Sequence, residues 1–537
     1  MRVLYALTVL SLLCLTTANN VVDLGYAKYR GNLTFPNTVA YLGIPYAEPP
    51  LGDRRWRAPL PLNTARVAAQ SRGQVVDASE YPEFCVQGSI GQGDAGGAGS
   101  EDCLKINVYA PNSAKKGDKL PVLFYIHGGG YTYGNPRNWP FDPWIHQEPN
   151  VVIVSVYYRL DSLGFLSHPA FSTDPALGDH NVGFLDQVEA LRWIQKHIDA
   201  FGGDPTRVTI NGQSAGGSSV ELHLVAPGSQ GLFAQAIAQS VYRSPVPSPE
   251  EQEPLFSHYA SQAGCGAGSV AQQMSCLRKA PVSALAPAQD SAFNGSYNGF
   301  KPVLDEKTIT IRPTTSILQG IHSRVPIIVG TTSNETLSGG GTSFTAALKA
   351  FFPGLTTQDL DQFNEEYAAS NFASAEQQFR DATGESELRC AIEIFAGEFV
   401  KTSPVYTYRY NTPADPSASP NDTTVEHSAE NWMMFDGTST GTNGTTVFEP
   451  MTPTDQAFAK ELIAYWLSFV RSGNPNTHKL GSSPTWAPFT PSKKARIVLQ
   501  GPGTFAASYR APTASYRAPT AHLPHTYRAP TAHLPHQ

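Results

Sequence analysis

The sequence lacks the features that would announce several common classes of protein. It has no paired Cys/His spacing of a zinc site, so no metal is expected, and nothing in it asks for an organic cofactor. It has no P-loop pattern and no basic patch, which argues against nucleotide hydrolysis and against nucleic-acid partners. The formal net charge of −7 points the same way. Beyond the first 18 residues no stretch is long and apolar enough to span a bilayer. Cysteine is scarce. Cys14 lies in the N-terminal apolar run, which leaves Cys85, Cys103, Cys265, Cys276 and Cys390, and sequence alone does not pair them.

The two ends of the chain are compositionally distinct. Residues 1–18 read as a signal peptide: Arg2 supplies the positive start, residues 3–15 the apolar run, and Thr16-Thr17-Ala18 a small-residue cleavage site. A secreted, extracellular protein is therefore expected, in a compartment that permits disulfides. Asn32, Asn294, Asn334, Asn421 and Asn443 head N-glycosylation sequons; Asn334 is expected to stay bare. Residues 501–537 repeat Tyr-Arg-Ala-Pro-Thr-Ala with His-Leu-Pro-His additions and read as a low-complexity, disordered tail.

The most informative segment lies between these ends. In Asn211-Gly212-Gln213-Ser214-Ala215-Gly216-Gly217 a G-x-S-x-G follows the β-branched Arg207-Val208-Thr209-Ile210. A helix-compatible stretch, 215–225, comes next and ends at Pro227-Gly228. Strand, sharp turn and helix start describe a nucleophile elbow presenting Ser214, with helix N–H groups behind it. A second match, Gly437-Thr438-Ser439-Thr440-Gly441, sits among Gly, Thr, Ser and Asn and reads as a loop.

Upstream, the strand-like 121–126 runs into His127-Gly128-Gly129-Gly130, a backbone free of side chains where an oxyanion site would be needed. Leu185, Val188, Leu191, Ile194 and Ile198 recur at helical spacing, and Phe201-Gly202-Gly203-Asp204-Pro205 breaks that helix before the elbow strand. Helix, loop, strand, elbow and helix is the alternation of a parallel α/β sheet.

These segments together resemble the type-B carboxylesterase/lipase family, which also holds cholinesterases and fungal lipases. Three further stretches carry the likeness: Gly43-Ile44-Pro45-Tyr46-Ala47, Ser100-Glu101-Asp102-Cys103-Leu104-Lys105-Ile106-Asn107-Val108, and Phe469-Val470-Arg471-Ser472-Gly473-Asn474-Pro475-Asn476. The resemblance spans about residues 20–500. It implies an α/β-hydrolase fold over 19–500, with a large, mostly parallel sheet and helices on both faces. It implies a catalytic Ser214, Glu335 and His427, with Gly129, Gly130 and Ala215 as oxyanion donors. It also implies disulfides Cys85–Cys103 and Cys265–Cys276, with Cys390 buried and unpaired.

Glu335 follows the strand-like 325–330, and His427 lies in Val425-Glu426-His427-Ser428-Ala429-Glu430. Around Glu335 the chain departs from the family, with Asn334 and Thr336 where Asp and Gly are usual; Asp305 and Glu306 are the competing acids. The implied activity is ester hydrolysis through an acyl-enzyme on a small or lipid-like ester, by a monomer or weak homo-oligomer. Residues 86–102, between Cys85 and Cys103, are short, polar and Gly-rich and lack Trp and Tyr, unlike a lipase lid or a cholinesterase cation site. Gln213 stands where those enzymes carry Glu. A general carboxylesterase for short or medium acyl chains is expected. The alternatives are a triacylglycerol lipase of the same family and a catalytically silent binding homologue.

Overall fold

The structure is a computed structural model, and it describes residues 20–89, 97–241, 246–293, 299–335, 341–352, 355–413, 425–441, 444–501 and 503–508. Residues 1–19, the tail from 509, and the sequon residues Asn294, Asn421 and Asn443 lie outside these residues, as does the side chain of Cys390.

Short apolar runs bounded by Gly and Pro form the strands of a ten-stranded sheet. In chain order they are β1 (Thr38–Pro45), β2 (Lys105–Pro111), β3 (Leu120–Ile126), β4 (Val152–Val156), β5 (Gly203–Gln213), β6 (Gln235–Gln239), β7 (Ile327–Thr332), β8 (Val405–Tyr410), β9 (Ala495–Leu499) and β10 (Phe505–Ser508). Across the sheet they run β10-β9-β8-β7-β6-β5-β3-β4-β2-β1. Pairing is parallel from β4 through β9 and antiparallel at both edges. β10 carries the sheet past residue 500, so the ordered domain extends to Ser508. The Gly- and Ala-rich stretch just ahead of the repeats concealed a strand because β9 supplies its hydrogen-bonding partner.

Alternate residues of one strand enter different cores. Val122, Phe124 and Ile126 of β3 join one large apolar cluster, while Leu123 and Tyr125 join another. The sheet is therefore buried on both faces, as a parallel sheet must be. The expected amphipathic helix is α1 (Val182–His197). It buries Val188, Leu191 and Ile194, but also Asp186, Gln187 and Glu189, because surrounding segments cover its outer side. Arg159 meets Asp186 there at 2.7 Å in a buried ion pair. α2 (Ala215–Val225) follows the elbow over the range read from the sequence.

Helices α3 (Phe344–Phe351), α4 (Thr357–Glu366) and α5 (Ala375–Gly384) enclose a small apolar cluster of their own: Phe344, Leu348, Leu355, Tyr367, Phe379 and Ala382. A π-helical turn, Glu385–Arg389, joins α5 to α6 (Cys390–Phe399). α7 (Ala429–Met434) and α8 (Pro453–Ser472) pack in the second large core. Disulfides link Cys85 to Cys103 and Cys265 to Cys276.

Candidate active site

The C-terminal ends of five neighbouring strands, β3, β5, β6, β7 and β8, converge. β5 ends at Gln213, and Ser214 follows with φ 59° and ψ −125°, a conformation costly for any residue with a Cβ. The turn is tight enough that its flanking glycines are steric requirements. A Cβ on Gly212 would strike the carbonyl of Gly216, and one on Gly216 would strike the carbonyl of Ile126. The backbone pins the turn further: Ser214 N–H donates to Gln239 O at 3.0 Å, and Ser218 N–H donates to Ser214 O at 2.8 Å. Ser214 thus stands at the cap of α2, only 9% exposed.

β3 ends beside it and delivers the glycine run. A Cβ on Gly128 would lie 2.6 Å from Gln213 O and 3.0 Å from Ser214 Cβ, so the run lies against the elbow. Gly129 and Gly130 take φ 104° and 64°, values open to glycine. The N–H groups of Gly129, Gly130 and Ala215 have no acceptor among the described residues. His127 forms the floor, stacked on Trp139 and Tyr158. Burial pushes its imidazole down to about 4, and it bonds to Gly128 O at 2.8 Å. That ring is a neutral packing element.

β7 leads to Glu335 and β8 to the segment carrying His427. The Glu335 side chain is fully buried, and its two oxygens are divided between partners. Oε1 accepts from Ser240 Oγ at 2.5 Å and from Thr332 N–H at 2.7 Å. Oε2 meets His427 Nδ1 at 2.5 Å. The other ring nitrogen of His427 lies 3.4 Å from the amide of Gln213, the residue before Ser214. Ser214, Glu335 and His427, far apart in sequence, therefore sit at one end of the sheet. The arrangement holds a buried carboxylate against one imidazole nitrogen and turns the other toward the elbow, which is the layout for moving a proton to and from a hydroxyl.

Asp305, one of the two competing acids, is spent on its own turn, accepting from the N–H groups of Thr308 and Ile309 at 2.8 Å each. Ser439 is not in a loop. Thr438–Thr440 pairs antiparallel with Thr446–Phe448, a hairpin favoured by the threonines of both arms and by Val447 and Phe448. It has no strand-turn-helix around it.

Two neighbours carry no motif. Ser240 follows β6 and reaches Glu335 because β6 lies beside β7. Glu430, on α7, is buried; burial and then the charge of Glu335 push its carboxyl up to about 7. The acidic residue after His427 was visible in sequence, but its burial was not. Among the described residues no group of three or more His, Cys, Asp or Glu is arranged to hold a metal ion.

A family model described as "Carboxylesterase family" matches residues 18–515. The chain is 30% identical to fumonisin B1 esterase of Sphingopyxis macrogoltabida over 470 residues, 84% of this chain and 81% of that protein. It is 30% identical to pyrethroid hydrolase Ces2a of Mus musculus over 480 residues, covering 83% and 81%. Among solved structures, Aspergillus niger EstA superposes with a TM-score of 0.79 at 30% identity, over 91% of this chain and 95% of that one.

Proposed function

The chain belongs to the carboxylesterase family and is a serine hydrolase of carboxylic esters; we propose that Ser214, Glu335 and His427 are its catalytic triad. The observation that carries this is the buried Glu335–His427 contact beside the strained turn of Ser214. Ser214 Oγ attacks the ester carbonyl as its proton passes to His427 Nε2. The carbonyl oxygen becomes an oxyanion facing the N–H groups of Gly129, Gly130 and Ala215. The C–O bond to the alcohol then breaks, and His427 returns the proton to the leaving alkoxide. Water repeats the sequence on the acyl-enzyme and frees the acid. Glu335 holds the imidazole in one tautomer and offsets its transient charge; Ser240 and the Thr332 N–H hold Glu335.

The substrate reading favours short or medium acyl chains. The base of the Cys85–Cys103 loop is tied down: Gly88 N–H donates to Thr132 O at 2.8 Å and Ser89 N–H to Asp290 Oδ1 at 2.7 Å. Gln87 exchanges hydrogen bonds with the backbone of Gly134 at 3.0 and 2.7 Å. A loop so anchored, polar and short suits a fixed rim better than a swinging lipase lid. Residues 90–96 of it lie outside the described residues. We further propose secretion, on the N-terminal segment and the two disulfides. The sequons at Asn32, Asn294, Asn421 and Asn443 are proposed as glycosylation sites. Asn334 is proposed to stay bare, because it flanks the buried Glu335 at the active site.

The test is Ser214→Ala against Ser439→Ala on p-nitrophenyl butyrate. The first should abolish turnover and labelling by a fluorophosphonate while leaving the melting curve in place; the second should change neither. Residual turnover near wild type in Ser214→Ala would remove the nucleophile assignment.

A further inference from the structure

Glu335 and His427 arrive on loops from different strands, yet their spacing must hold to a fraction of an ångström for proton transfer. Apart from the Glu335–His427 contact itself, Asn334 links the two loops directly. Asn334 N–H donates to Val425 O at 3.1 Å, and Val425 N–H donates to Asn334 Oδ1 at 2.9 Å. This reciprocal pair copies the exchange between two facing residues of an antiparallel ladder, with a side-chain carboxamide standing in for one carbonyl. Asn334 immediately precedes Glu335, and Val425 lies two residues before His427. The clasp therefore acts one or two residues from each functional side chain.

The acid side of the clasp is braced independently. Ser333 Oγ donates to Tyr410 O at 3.2 Å and to Asn411 Oδ1 at 2.5 Å, at the end of β8. Arg389 Nη1, from the π-helical turn, donates to Ser333 O at 3.1 Å. Glu335 N–H donates to Thr332 Oγ1 at 3.1 Å. The acid loop is thus fixed to the sheet. On the His427 side, Glu426 meets Arg380 at 3.3 Å, but in an exposed pair of the kind that contributes little. Beside the Glu335–His427 contact itself, the Asn334 clasp is a part-buried polar link that ties the His427 segment to the acid loop.

We propose that Asn334 is a positioning residue of this enzyme: through Val425 it sets the distance and angle of His427 against Glu335. The proposal rests on the triad assignment above. Oδ1 is the atom that matters, so a carboxylate at this position also serves, while an apolar side chain leaves the Val425 N–H without its acceptor. A carboxamide does the work without placing a second negative charge beside Glu335.

Asn334→Asp, Asn334→Leu and Asn334→Gln in the full chain, assayed on p-nitrophenyl butyrate, test it. Asp should keep kcat within about threefold. Leu, and Gln with its amide displaced by one methylene, should lower kcat about ten- to a hundredfold, the scale of a small misplacement of reacting groups. KM should stay within about twofold in all three. The low-field proton resonance of the His427 Nδ1–H bond should persist in Asp and shift or broaden in Gln and Leu. If Leu fails to fold, Gln carries the comparison. Wild-type kcat in Gln or in folded Leu, or an Asp variant as impaired as the others, would overturn the proposal. Glu335→Gln and His427→Ala are assayed alongside. If these keep turnover the triad assignment falls; if they lose it while Gln and Leu at 334 do not, only the clasp falls.

Discussion

Replacing Glu430 by Gln should remove a pH-dependent loss of stability. Glu430 is 1% exposed; its Oε1 accepts from Gln239 Nε2 at 3.4 Å, and its Oε2 has no partner among the described residues. Burial first, then the Glu335 charge, push the carboxyl from 4.5 up to about 7. The groups facing it are Glu335, His427, Tyr125, Tyr408 and Tyr410. Burial pushes the three tyrosines well above their ordinary value, so they stay neutral here. The folded chain then keeps a proton on Glu430 that the unfolded chain has already released.

The folded-state value is raised, so this contribution to stability is complete below pH 4.5 and is lost as pH rises through about 7. At roughly 1.4 kcal/mol per pH unit, the loss comes to about 3 kcal/mol at pH 8. Gln has the same shape and no proton to lose. Urea unfolding with the disulfides intact, at pH 5, 6, 7 and 8, gives the difference between the two proteins. It should favour Glu430→Gln by less than about 1 kcal/mol at pH 5 and by about 3 kcal/mol at pH 8. Parallel stability curves would refute the reasoning, because Glu430 would then share one titration between folded and unfolded chains.

Two further outcomes are expected. His427→Ala and Glu335→Ala should each cripple turnover, His427→Ala more severely, and the double variant should be little worse than His427→Ala, since in the proposed triad Glu335 acts only through His427; additive losses in kcat would separate them. On p-nitrophenyl esters from C2 to C16, rates should peak at short or medium chains, with no jump at the solubility limit. A polar rim gains far less than the ~0.8 kcal/mol of a fully buried methylene. A preference for C16 over C4 would favour the lipase.

What could be read from the sequence was what is local. The elbow declares itself because strand, turn and helix are contiguous, and the helix bounds 215–225 need only the capping turn and Pro227. Ser240 could not be read, since Gln239-Ser240 is an ordinary strand end until β6 is laid beside β7. Asn334 looked like a departure from a family pattern; its partner Val425 is 91 residues away. The strands at Thr438–Thr440 and Phe505–Ser508 hid for the same reason: Gly-, Thr- or Ala-rich segments become strands only through the edge that receives them.

The small helical body of α3, α4 and α5 has a fate of its own on heating. Its core is six side chains, against the scores that fill the two faces of the sheet. Few buried contacts mean a low free energy of local opening. Yet Arg380 within α5 and Arg389 in the turn beyond it touch the residues just ahead of His427 and of Asn334. Loosening this body would blur the active site while the sheet stays folded. All seven tryptophans lie outside residues 344–389. Thermal inactivation should therefore run ahead of the tryptophan fluorescence transition, and a melting temperature read from that signal would overstate the range over which the enzyme works.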